Sequence, residues 1–278
     1  MALDIDGIAR QILDAQNAGR SIAPISSREP DFTLDAGYAV AERLCALRKA
    51  QGAVVAGRKI GFTNANMWAA FGVEAPIWGA MYADSVVQAS QGRVELSLDA
   101  FCEPRLEPEI VFHFHRTPPA DADADALLDC IDWMAHGVEV VQSHFPEWKF
   151  TAADAVASGS LHAALLLAAP LSLEGRRAGL EQALEAVSVD LLRDDTLVES
   201  GSARLVLGNP LHAVRHLIQV LQAQGAPAIA PGELITTGTM TMAYPIAPGQ
   251  RWRTRIAGLD LEGLEMVFTG EGASGEDA

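Results

Sequence analysis

Apolar and polar positions alternate with two different periods, giving a helical beginning and a strand-rich remainder. Over residues 33–50, Leu34, Tyr38, Ala41 and Leu44/Cys45 recur at steps of three or four, which is one face of a helix. Thr33 stands where an N-cap is needed, and Gly52 lies past the end. Residues 210–224 carry the same period through Leu211, Val214, Leu217/Ile218 and Leu221. Asn209 ahead of them, Pro210 in the first turn and Gly225 beyond punctuate a second helix. Residues 124–135 repeat the spacing with Leu127/Leu128, Ile131 and Met134, behind Asp121, Asp123 and Asp125, whose charges favour a helix start. Residues 5–17 predict one more helix. Short β-type runs occupy 53–60, 107–115, 137–143, 162–168, 186–193, 197–207, 233–237, 251–257 and 262–268. Arg193-Asp194-Asp195-Thr196 reads as a turn between two of them.

Helices and strands do not alternate regularly, which argues against a doubly wound parallel sheet and for an α+β fold built on a large mixed sheet or roll. Residues 1–55 form a helical N-terminal portion expected to pack on the main body, because no Pro/Gly/Ser linker separates the two. The body covers 56–269, and the final GEGASGEDA, 270–278, has no apolar anchor and reads as a mobile tail.

Composition narrows the classes further. With 278 residues, 49% of them hydrophobic, the chain has enough apolar surface for one or two domains without disulfide or metal staples. Acidic residues outnumber Lys and Arg by 36 to 20, a net charge of −16 that opposes nucleic-acid or anionic-membrane partners. The three cysteines, Cys45, Cys102 and Cys130, form no CxxC pair and fit a reducing compartment. The opening MALDIDGIARQ lacks the basic and apolar regions of a signal peptide, and the most apolar stretch, 161–171, is too short to cross a bilayer. A soluble cytoplasmic protein is expected.

The chemistry concentrates in Glu103-Pro104-Arg105-Leu106-Glu107-Pro108-Glu109-Ile110-Val111-Phe112. Residues two apart on a strand share a face, so Glu107 and Glu109 project side by side while Ile110, Phe112 and Phe114 face a core. Adjacent carboxylates repel unless solvated, protonated or bridged by a cation. Glu139 sits among apolar residues in Gly137-Val138-Glu139-Val140-Val141. Three such carboxylates make a hard oxygen site suited to Mg²⁺ or Mn²⁺. Read alone, the pair also fits a solvated edge strand, with Glu139 tied to an arginine.

Four motifs occur in one order: Gly57-Arg58-Lys59-Ile60-Gly61-Phe62-Thr63, the EPEIVF run, the Glu139 segment, and Thr237-Gly238-Thr239-Met240-Thr241. Together they resemble the 2-keto-4-pentenoate hydratase / 4-oxalocrotonate decarboxylase branch of the fumarylacetoacetate hydrolase superfamily. The likeness runs from Ile22-Ala23-Pro24 through Leu207-Gly208-Asn209-Pro210-Leu211 to the final strands. It implies a mixed β-roll, a divalent metal (Mg²⁺ or Mn²⁺) on Glu107, Glu109 and Glu139, a catalytic Lys59, and assembly into a homo-oligomer. It also implies a hydratase of 2-hydroxydienoic or 2-oxo-enoic acids working through a metal-stabilised enolate. The alternatives are a 2-oxo acid decarboxylase, an acylpyruvate-type C–C hydrolase, and a non-catalytic scaffold associated with a related decarboxylase or hydratase.

Further residues complete the expected site. Arg58, Ile77, Trp78, Lys149, Gly238 and Thr239 are candidates for substrate binding, with Arg105 a second source of positive charge near the acids. Burial after Val54-Val55-Ala56 would lower the Lys59 pKa and make it a proton shuttle, unless it serves as a salt bridge to a glutamate. Asp154, His144 and His162 are candidate acid/base groups, and His113-x-His115 has a zinc-ligand spacing but also fits an exposed strand end. Trp68, Trp78 and Trp148 fit core or pocket wall. Two positions depart from the family pattern. Pro76-Ile77-Trp78-Gly79 lacks the acid that hydratases of the branch carry there, and an Ala-Asp-Asn triplet is replaced by Ala157-Ser158-Gly159.

Overall fold

The computed structural model describes residues 3–71, 73 and 75–271. Its helices are α1 (Ile5–Asn17), α2 (Leu34–Ala50), α3 (Trp68–Phe71), α4 (Ala124–Leu128), α5 (Ala152–Ala157), α6 (Leu180–Glu185) and α7 (Pro210–Ala223). Its strands are β1 (Val55–Gly61), β2 (Ile77–Tyr82), β3 (Val86–Gln88), β4 (Arg93–Ser97), β5 (Arg105–Phe114), β6 (Ile131–Val141), β7 (His162–Leu167), β8 (Leu171–Ser172), β9 (Ser188–Arg193), β10 (Thr196–Ser202), β11 (Leu234–Thr236), β12 (Tyr244–Pro245), β13 (Arg251–Ala257) and β14 (Glu265–Thr269). None of the described helices is long and apolar enough to cross a membrane. The tail expected at 270–278 lies outside the described residues beyond Glu271.

The long helices start where their caps allow. Thr33 accepts the Ala36 N–H ahead of α2, and Asn209 accepts the Leu211 N–H ahead of α7, whose first residue is Pro210. The helix expected over 124–135 stops at Leu128, and the rest of that run is β6. Ile131 and Met134 stand three apart as if on a helix, yet both are strand residues facing the core. The β5–β6 ladder slips between His113 and Phe114, pairing Phe112 with Met134 and Phe114 with Ile131. That bulge inserts one residue and converts a two-residue period into a three-residue one. The strand expected at 197–207 ends at Ser202, where a 3₁₀ turn takes over.

Two mixed sheets form the body. Nine strands pair around the path β2-β1-β11-β5-β6-β7-β3, with β12 on β5 and β8 on β6; five more run β10-β9-β13-β14-β4. One face of the larger sheet is mostly apolar, with His136 and Arg58 as buried exceptions. Ile110, Phe112 and Phe114 pack there with α7 residues Leu211, Val214 and Leu217. Further along, Leu106, Val138 and Val140 meet Trp252, Met266 and Phe268 of the smaller sheet. The opposite face carries Glu107, Glu109 and Glu139. Beyond its far end α1 and α2 pack on α5, Ile12, Val40 and Leu44 lying against Phe145, Ala153 and Ala157.

Candidate functional site

Strand alternation assembles the site. On β5, Arg105, Glu107 and Glu109 share the face opposite the core residues Ile110 and Phe112. Glu139 is the direct antiparallel partner of Glu107 across the β5–β6 ladder. Lys59 arrives from β1, on the far side of β11, and its Nζ lies 3.2 Å from Glu139 Oε2. β11 ends at Thr236, and the chain then bends over β5 so that the Gly238 N–H donates to Glu109 Oε2 at 2.7 Å. Gly238 has φ +98°, and a Cβ there would sit 1.9 Å from Thr63 Oγ1, so glycine is required on both counts. At Gly61 a Cβ would come within 3.2 Å of Lys59 Nζ, a tight contact that would press on the end of the lysine.

One oxygen from each of Glu107, Glu109 and Glu139 lies within 4.8 Å of the others. Glu109 and Glu139 are fully buried, as is Lys59 apart from a few per cent of its surface. Burial pushes the Glu107 carboxyl up to about 7; Glu139 adds to this, while Lys59 and Arg105 oppose it. Glu109 rises well above the ordinary carboxylate value for the same reason, with both other glutamates adding to the burial. For Glu139 burial also acts upward, but Lys59 and His162 outweigh it and the carboxyl falls below its usual value. Burial alone would depress Lys59, yet the three glutamates carry its ammonium above the ordinary lysine value, the reverse of the sequence expectation.

The donor set fits a divalent cation. Glu109 Oε1 is buried without a hydrogen-bond partner, and Glu139 Oε2 has only the ion pair with Lys59. Orphaned buried carboxylate oxygens are costly, and a cation satisfies them. All donors are oxygens, the preference of hard ions. Above the acids opens a cleft of about 100 Å³. Its apolar wall is Ile77, Val141, Trp148, Phe150 and Leu161, and its polar groups include Lys59, Thr63, Arg105 and Glu107.

No family model matches the chain. Across 255 residues, 90% of this chain and 93% of its relative, it is 30% identical to 2-keto-4-pentenoate hydratase 1 of Dechloromonas aromatica (strain RCB). The chain belongs to the 2-keto-4-pentenoate hydratase family. Among solved structures, 4-oxalocrotonate decarboxylase from Pseudomonas putida G7, complexed with magnesium and adipate, superposes with a TM-score of 0.86 at 26% identity, over 95% of this chain and 97% of that one. Fumarylpyruvate hydrolase from Pseudomonas aeruginosa shares the fold alone, with a TM-score of 0.58 at 15% identity over 77% of this chain and 89% of that one. The mixed-sheet α+β architecture expected from the sequence is thus the fold of the fumarylacetoacetate hydrolase superfamily.

As a member of the 2-keto-4-pentenoate hydratase family the chain brings together Lys59, Glu107, Glu109, Glu139, Ile77, Gly238 and Thr239 around one cleft. The Thr239 hydroxyl is spent inside its own turn, donating to Thr241 O and accepting the Thr241 N–H. Four other expectations are corrected. Arg58 alternates away from Lys59 to the opposite face of β1, where it pairs with Glu233 at 3.0 Å and donates to Pro227 O. Trp78 alternates away from Ile77, stacks on Tyr38 and donates its Nε1–H to Gln224. Lys149 is exposed and bonded to Glu147, although its neighbours Trp148 and Phe150 line the cleft. Asp154 is buried as a clamp, accepting from the N–H and hydroxyl of Ser26 and of Thr151, and so is not an acid/base group.

The histidines divide likewise. His162 reaches the site indirectly: its Nδ1 lies 2.8 Å from Glu139 Oε1, and it is not part of the cleft wall. His113 pairs with Asp132 and stacks on Trp133, whereas His115 turns to Asp129 O, so no HxH ligand pair forms. His144 lies outside the cleft lining, with its Nδ1 3.0 Å from Arg20 O. Sequence reasoning missed the Thr63 hydroxyl, buried at the cleft without a hydrogen bond, and Ser85, which holds His162. Thr63 carries a signal after the fact, because it stands in the Lys59 motif. Ser85 lies in a 3₁₀ turn with no pattern to reveal it.

Proposed function

We propose that the chain is a divalent-metal-dependent hydro-lyase that hydrates 2-hydroxydienoic or 2-oxo-enoic acids. The observation that carries this reading is the convergence of two buried glutamates, a half-buried third and one buried lysine at the floor of an apolar cleft, in a member of this family. Glu107, Glu109 and Glu139 would hold Mg²⁺ or Mn²⁺, which supplies the Lewis acidity that stabilises an enolate. Three carboxylates and one ammonium leave a formal charge of −2, which a divalent ion cancels. Lys59 keeps a proton at Nζ beside the substrate position and exchanges it with the substrate carbon skeleton. Ile77, Val141, Trp148, Phe150 and Leu161 shield that position from bulk water, and Arg105, stacked 4.1 Å from the Trp148 ring centre, adds positive charge at the cleft for an acid substrate. Incubation with Mg²⁺ and 2-hydroxypenta-2,4-dienoate is expected to yield a 4-hydroxy-2-oxo acid, with the activity lost in Glu107→Gln and Lys59→Ala. Retention of activity in both variants refutes the assignment.

One observation favours a second reading, decarboxylation of a 2-oxo dioic acid. Among the described residues lining the cleft, Glu107 is the only carboxylic acid, and Ile77 occupies the place of the family's hydratase acid. Water addition needs a group to handle its proton, whereas loss of CO₂ is promoted by an apolar surrounding. CO₂ release from 2-oxohex-3-enedioate, without hydration of the dienoate, selects this reading. The resemblance supports a homo-oligomer, alone or with a related enzyme, which sedimentation velocity tests. The three unpaired cysteines support a cytoplasmic setting.

A further inference from the structure

Two of the three clustered carboxylates are hydrogen-bonded at one oxygen and not at the other. Glu109 Oε2 accepts the Gly238 N–H at 2.7 Å, while its Oε1 has no partner. Glu139 Oε1 lies 2.8 Å from His162 Nδ1, while its Oε2 has no hydrogen bond and faces Lys59. An ionised carboxylate only accepts, so Nδ1 carries the proton aimed at Glu139. His162 is itself held, with Nε2 2.8 Å from Ser85 Oγ and that oxygen 2.7 Å from Tyr82 O. The ring enters β7 from an unusual corner: Gly159, Ser160 and Leu161 have φ of 79°, 57° and 67°. Two of these are not glycine, a backbone cost that persists only where the surroundings over-determine the geometry. Ser160 Oγ anchors the corner by donating to Trp78 O at 2.6 Å.

We propose that Ser85 and His162 form a clamp that makes Glu139 a one-oxygen ligand, and that this clamp, with the Gly238 N–H on Glu109, sets the centre's preference for a small octahedral cation over calcium. The inference rests on the metal-dependent reading above. Calcium takes six to eight oxygens at longer distances and accepts both oxygens of a carboxylate, whereas magnesium keeps six at short range. Blocking Oε1 of Glu139 and Oε2 of Glu109 removes the second donor that calcium would use. Outer partners of metal ligands set ligand orientation, and losing one commonly costs 10–100-fold in affinity. His162 is therefore a positioning residue, acting through Glu139 rather than on substrate.

The test follows Mn²⁺ binding to the metal-free full-length protein by the electron paramagnetic resonance signal of the free ion, with Mg²⁺ and Ca²⁺ as competitors. His162→Phe is expected to weaken Mn²⁺ and Mg²⁺ binding about 10–100-fold and Ca²⁺ binding by less, so the Mg²⁺/Ca²⁺ ratio falls. His162→Asn, whose amide keeps an N–H near the Nδ1 position, is expected to restore the ratio. Ser85→Ala frees the ring to turn and is expected to shift the ratio in the direction of His162→Phe; should that variant not fold, Ser85→Ala decides. An unchanged ratio in both, with Mn²⁺ binding lost in Glu139→Gln, overturns the clamp and leaves the metal centre standing. Wild-type Mn²⁺ affinity in Glu139→Gln overturns the metal centre itself.

Discussion

Glu107→Gln is expected to stabilise the metal-free protein at alkaline pH and to make no difference in acid. Burial holds the Glu107 carboxyl at about 7 instead of 4.5. Below about pH 4.5 the group is protonated in both folded and unfolded chains, and its contribution to stability is fully present. Between about 4.5 and 7 the unfolded chain releases a proton that the folded chain keeps, so stability falls by about 1.4 kcal/mol per pH unit. The loss levels off above pH 7 at about 3 kcal/mol. Glutamine resembles the protonated acid and does not titrate. The variant should match the parent near pH 4.5 and exceed it by about 3 kcal/mol at pH 8, or about 5–10 °C in Tm for a chain of this size. Scanning calorimetry in a chelator from pH 4.5 to 8.5 reads the difference. Mg²⁺ at about one thousand times Kd should then reverse the order, because binding adds about 4.1 kcal/mol to the parent alone, more than its deficit of about 3 kcal/mol. A Tm difference that does not change with pH, or a variant less stable than the parent at pH 8, refutes the account of a strained acid cluster.

Lys59→Met should lower kcat by about 10²–10⁴-fold, the usual contribution of a proton-transfer group, while Mn²⁺ binding tightens because a competing cation has left the carboxylates. Steady-state kinetics and calorimetric titration read the two effects separately, and weaker Mn²⁺ binding would refute the placement. Gly238→Ala should weaken Mn²⁺ binding as well as stability, since the new Cβ collides with Thr63 and displaces the N–H on Glu109; unchanged Mn²⁺ affinity in the folded variant would count against it. Asp154→Ala should cost about 1–3 kcal/mol by removing the buried carboxylate that accepts from half-buried Ser26 and from Thr151, lowering Tm while kcat at a permissive temperature is unchanged. A kcat collapse in stable, folded Asp154→Ala would restore the acid/base role.

The legible parts of the fold were those set by local chemistry. Caps at Thr33 and Asn209 started α2 and α7 where the pattern predicts, and the Asp194-Asp195 turn joins β9 to β10 with both residues at positive φ. Tertiary pairing decided the rest. Ile131 and Met134 mimic a helix only because β6 bulges against β5, which no window of a single segment reveals. β2 was missed since Gly79 and Ala80 dilute its β-type residues, and its place is fixed by pairing with β1.

The same alternation that made the site legible also explains two of the four corrections. Odd positions on β5 and the facing Glu139 put three acids on one side, and that rule is visible in the sequence. Applied to β1 it separates Lys59 from Arg58, and applied to β2 it separates Ile77 from Trp78. A motif match treats adjacent residues as one site, whereas a strand sends every second one to the other face. Lys149 fails for a related reason: the chain around Glu147 and Trp148 turns with positive φ, exposing the lysine while Trp148 and Phe150 flank the cleft. Residues that act through another residue leave a fainter trace still. His162 was visible only as a lone histidine opening a strand, and its role depends on Ser85 seventy-seven positions away. A cluster of buried acids needs such outer partners, because each carboxylate oxygen not given to a cation must find a donor, and here the chain supplies one backbone N–H and one imidazole for that purpose.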